Sequence, residues 1–85
     1  MTEPGHDRYR IEEADRVIAD RIAGGSAVLG IDGLWVRDGE ALPDLDYIAD
    51  FSPDGLTDRS AIAAVLQDWP QDDAFCVEIV FATTS

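Results

Sequence analysis

Between Ser26 and Phe51 the chain reads SAVLGIDGLWVRDGEALPDLDYIADF. Three β-prone runs are separated by two Asp-Gly pairs, and an Asp-Gly pair between such runs is a strong hairpin signal because glycine supplies the positive φ that tight turns require. The spacing predicts strands over Ser26 to Ile31, Leu34 to Arg37 and Asp44 to Phe51. The turns fall at Asp32-Gly33 and Asp38-Gly39, with a loop from Glu40 to Pro43. Period two places Leu45, Tyr47, Ala49 and Phe51 on the inner face of the third strand. Asp44, Asp46, Ile48 and Asp50 then lie on its outer face, before Ser52-Pro53-Asp54-Gly55 breaks it.

Upstream, Ile11, Ala14, Val17, Ile18 and Ile22 recur at helical spacing, while Glu12, Arg16 and Asp20 share the opposite side. Gly24-Gly25 closes this amphipathic helix. Its start is ambiguous, since Arg8-Tyr9-Arg10-Ile11 also reads as a short alternating strand. Downstream, Thr57 to Trp69 puts Ile62, Val65, Leu66 and Trp69 on one face, with Thr57 or Asp58 as N-cap and Pro70 as terminator. Phe75 to Ala82, FCVEIVFA, is apolar on both faces except at Glu78, the composition of a central strand. The expected fold is α+β in the order α-β-β-β-α-β. It is a four-stranded, mainly antiparallel sheet with both helices on one face and the acids on the other. Residues 1–7 are expected to be a loose segment and 8–85 a single domain.

The full sequence has 85 residues, with 18 Asp+Glu against 6 Arg and no Lys, a net charge of −12. Up to Arg37 there are seven acids and five Arg, but from Asp38 onward eleven acids and only Arg59. The negative excess is therefore regional. Such a field disfavours nucleic-acid phosphates and anionic membranes, and it accelerates encounter with cationic surfaces. A single Cys76 leaves no internal disulfide. The polar N-terminus and the absence of a long apolar run give a cytoplasmic, non-membrane expectation.

Chemistry-bearing constellations are sparse. The lone His6 falls in the loose N-terminal segment and Cys76 in the middle of the expected central strand, so no scaffold holds them as a nucleophile-base pair; no catalytic residues are assigned and a non-enzymatic role is expected. The glycines form no phosphate-binding motif, which argues against a nucleotide cofactor. Neither Asp38-Gly39-Glu40 nor the Asp44, Asp46, Asp50 run matches a calcium-loop spacing, so no metal site is assigned. Weak divalent-cation or small-ligand binding is one alternative.

The partner-binding residues expected are Asp44, Asp46, Asp50 and Asp54, together with Trp35. If Leu34 and Val36 face the helices, Trp35 stands exposed among carboxylates, a composition typical of interface hot spots. In size and charge the chain is similar to immunity proteins, antitoxins and nuclease inhibitors, whose acids occupy a cationic groove. That likeness implies a basic protein partner, such as a toxin, a nuclease or another nucleic-acid-binding protein, which an acidic chain can engage as a nucleic-acid mimic. A homo-oligomeric structural or regulatory domain, formed as a homodimer through the Phe75 to Ala82 strand or a sheet edge, is the other alternative.

Overall fold

The amphipathic periodicity around Ala14 and Ile18 becomes helix α1 (Ile11–Ala23), in a computed structural model that describes residues 8–83. The loose segment expected over residues 1–7 lies outside the described residues, as does His6. The backbone N–H of Arg10 donates to Glu13 Oε1, which satisfies one of the free donors at the start of α1. Gly25, at φ 99°, takes the left-handed turn that ends it. Helix α2 (Arg59–Gln67) is capped by Asp58, whose Oδ1 accepts from the backbone N–H groups of Ser60 and Ala61.

The strands are β1 (Arg8–Tyr9), β2 (Ser26–Arg37), β3 (Glu40–Asp50) and β4 (Phe75–Thr83). They form one antiparallel sheet in the order β1-β4-β2-β3. The α+β class, the four antiparallel strands and the two helices on one face are as expected. Ile18 and Ala14 of α1 and Ile62 and Leu66 of α2 bury against Val28, Ile31, Phe75, Val77 and Ile79 of the sheet. Among the described residues no helix is long and apolar enough to cross a membrane.

What differs is which residues supply the strands. The Asp32-Gly33 pair is not a turn: β2 runs through it unbroken for 12 residues. A Cβ on Gly33 would stand 2.5 Å from Phe75 Cζ and 2.7 Å from Tyr47 Cβ. The glycine is there so that two aromatic side chains can lie against the strand, a packing requirement and not a turn requirement. The true hairpin is Asp38-Gly39, where both residues have positive φ, 54° and 79°, between the paired Arg37 and Glu40. That is the geometry of the favoured two-residue connection. The expected loop from Glu40 to Pro43 is instead the start of β3, and the fourth strand is the short Arg8–Tyr9 pair, in keeping with its alternating sequence.

Two register slips decide which side chains face the helices. In β2, Val28 opposes Phe81 and Gly30 opposes Val80, so Leu29 is an extra residue and the alternation shifts by one. In β3, Pro43 opposes Leu34 and Ile48 opposes Asp32, so Asp44 to Tyr47 bulge out against the single residue Gly33. A slip of this kind exchanges inner and outer faces.

Candidate recognition face

The helix-covered side of the sheet ends in an aromatic cluster. Trp35 meets Phe75 edge-on at a centroid distance of 5.0 Å, Tyr47 meets Phe75 at 5.2 Å and Trp69 at 5.7 Å. Trp35 therefore faces the helices, so the condition under which it would stand exposed, Leu34 and Val36 facing them, is not met. Leu34, only 3% exposed, lies in the row with Cys76 and Pro43 on the opposite side of the sheet. The cause is the parity shift at Leu29, which moves every later residue of β2 to the other face.

The five residues expected to contact a partner divide into two sets. Trp35 is half-buried and its Nε1–H donates to Asp44 Oδ2 over 2.9 Å. Asp44 Oδ1 accepts from the backbone N–H of Asp46 at 3.0 Å. Both oxygens of Asp44 thus hold the β3 bulge in shape. Asp46, Asp50 and Asp54 are exposed. Asp50 Oδ1 accepts from the hydroxyl of Ser52 at 2.6 Å and from its backbone N–H at 2.9 Å. These bonds, the hydroxyl first, hold the Asp50 carboxyl below its ordinary pKa.

Leu45 departs from expectation too. Period two puts it on the inner face with Tyr47, Ala49 and Phe51; those three do pack against the core, but Leu45 is 81% exposed. It sits inside the bulge, where alternation fails.

The uncovered side of the sheet can be written row by row from the pairing. Val80, Gly30 and Asp50 form one row, Glu78, Asp32 and Ile48 the next, and Cys76, Leu34 and Pro43 the third. Directly opposed residues share a face, so acids and apolar side chains are interleaved here. Ile48 is 50% exposed and Val80 37%. Glu78 lies directly across from Asp32, a like-charge pair that is unfavourable in itself, and Arg8 Nε offsets it from 3.7 Å. Gly30 has no side chain, which leaves a depression of about 380 Å³ among Leu29, Asp32, Ile48, Asp50 and Val80. A second, of about 240 Å³, adjoins it through Asp32 and Ile48 and reaches Leu34, Leu45 and Glu78.

Among the described residues, no three His, Cys, Asp or Glu side chains converge closely enough to hold a metal ion.

Sequence reasoning does not single out Ile48, Val80, Leu45 or Asp32 as partner-binding residues. A signal for Ile48 exists, since it is the one apolar residue alternating with Asp44, Asp46 and Asp50. No family model matches this sequence, and comparison with curated proteins and with solved structures finds no match.

Proposed function

We propose that this chain is a non-enzymatic binding protein that engages a positively charged protein surface, such as that of a toxin, a nuclease or another nucleic-acid-binding protein. The observation that carries this reading is the run of exposed carboxylates Asp46, Asp50 and Asp54 along β3 and the turn after it. Trp35 and Asp44 support that run at one end by fixing the bulge from which Asp46 projects. Exposed charges of this kind chiefly raise the association rate. A free Cys76 in a fold that needs no disulfide supports a cytoplasmic location.

The test is association of the purified full chain with a panel of basic proteins, including DNA- and RNA-cleaving enzymes, at low and high salt. A partner whose affinity falls steeply with salt, and falls again in Asp46→Asn/Asp50→Asn, supports the reading. Binding confined to neutral or acidic partners and retained at high salt overturns it.

A homodimer is the second reading, favoured by the exposed Leu45 and Ile48. The edge of β3 is a poor route to it, because Pro43 lacks an N–H and the bulge interrupts the ladder. Sedimentation as a strict monomer removes it.

A further inference from the structure

We infer that the uncovered face of the sheet is a docking groove for one amphipathic helix of a partner protein, with an apolar stripe flanked by Arg or Lys. This inference rests on the reading of the chain as a binder of basic proteins, and it names both the surface and the element that surface accepts.

Three observations select the occupant. The first is the interleaving of exposed apolar Leu45, Ile48 and Val80 with exposed Asp32 and Asp50 and the half-buried Glu78. A stripe of Leu or Ile flanked by cations complements that pattern, whereas a second copy of this chain would bring the acids Asp32 and Asp50 towards another chain that is itself at −12. The second is that this is a face and not an edge. It offers side chains and no free ladder, so an extended segment laid on it would leave its own backbone groups unpaired on the apolar part. A helix satisfies its backbone internally, as α1 and α2 do on the other side. The third is shape: the two adjoining depressions share Asp32 and Ile48 and run across β2 between β3 and β4. Gly30, which carries no side chain, is among the residues that line it.

The docked helix would complete a third layer over a sheet that now has two. Its apolar side chains would enter beside Ile48, Val80 and Leu45, and its flanking cations would meet Asp32 and Asp50, Glu78 being already met by Arg8.

The experiment uses the full chain labelled with 15N and a synthetic peptide of about 18 residues, long enough as a helix to cross four strands spaced about 4.8 Å apart. The peptide carries a Leu/Ile stripe flanked by Arg, and its control has the same composition with the stripe scrambled. The expected result is amide shifts at Gly30, Asp32, Ile48 and Val80 with the striped peptide, together with a gain of helical circular dichroism. The Ile48→Asp and Val80→Asp substitutions, both at exposed positions, should each weaken binding about tenfold or more.

Equal binding of the scrambled peptide, with shifts at Asp46, Asp50 and Asp54 only, overturns the docking groove and leaves the cationic-partner reading standing. Shifts confined to α1 and α2, or no binding of either peptide, also overturn the groove. The panel of basic proteins then decides the wider reading separately. A dimer that dissociates on Ile48→Asp substitution would show that a second copy covers this face, and overturns the groove as well.

Discussion

Trp35 in the inner strand β2 donates its indole N–H to Asp44 in the edge strand β3, across the point where β3 leaves its register. The bond ties an aromatic residue of the core-facing cluster to the base of an acidic bulge. Asp44→Ala would leave two donors, the Trp35 indole and the Asp46 amide, without their acceptor. A loss of about 1–2 kcal/mol is expected, the scale of leaving a partly buried donor unsatisfied. Urea denaturation measures the loss, and the Trp35 indole proton should shift while that of Trp69 stays nearly fixed.

Gly33 admits nothing larger. The Ala methyl of a Gly33→Ala chain would meet Tyr47 Cβ, an atom fixed to the backbone of β3, and the tip of the Phe75 ring. Relief requires the strands to part, and overpacking of this kind costs about 1–3 kcal/mol. Gly39→Ala, where open space surrounds the added methyl, should act only through its positive φ. Comparison of the two by thermal unfolding separates packing from backbone conformation. Unchanged stability in Gly33→Ala would mean that the close approach of Tyr47 and Phe75 does not demand a glycine in β2.

Asp50 gives a dependence on pH with a defined sign. Its folded pKa lies below the usual 3.8 because Ser52 donates to the ionised form. The stability it contributes is therefore present above the unfolded pKa and is lost as pH falls through the lower, folded value. A carboxyl titration by NMR should place Asp50 below the ordinary aspartate midpoint, and Ser52→Ala should raise it.

Added salt should stabilise the free protein and weaken its complexes. A chain at −12 repels itself, and screening shortens that repulsion to about 10 Å near 0.1 M salt. Between about 20 mM and about 300 mM NaCl we expect a gain of about 1 kcal/mol, or roughly 4–8 °C in Tm for a domain of this size. A Tm that falls with salt would mean that attractive ion pairs such as Arg10 with Asp73, at 3.0 Å, outweigh the net repulsion.

The helices are legible in the sequence because their signals are local. The spacing of Ala14 and Ile18, the Gly24-Gly25 stop and the Asp58 cap each act within a few residues. The Asp38-Gly39 hairpin is legible for the same reason. Asp32-Gly33 carries the same dipeptide, yet its glycine answers to Phe75, a residue far along the chain. The positions of Trp35 and Leu45 depend on the slips at Leu29 and Asp44 to Tyr47, which exist only once strands are paired. The acidic run on β3 is readable from composition. The apolar half of the candidate face is not, because Ile48 and Val80 become neighbours of one trough only through β2 between them.

The strand order sets when the fold can close. β2 and β3 meet through a two-residue turn, so they can pair as soon as both have left the ribosome. β4, the last of the four strands to be made, inserts between β2 and the much earlier Arg8–Tyr9 pair and brings Phe75, Val77 and Ile79 to the core. Until residues 75–83 emerge, one flank of β2 stays unpaired and the core under the helices lacks Phe75, Val77 and Ile79. A chain cut short before Phe75 would keep Val28 and Ile31 to set against the two helices but would lose the three β4 side chains that complete the core.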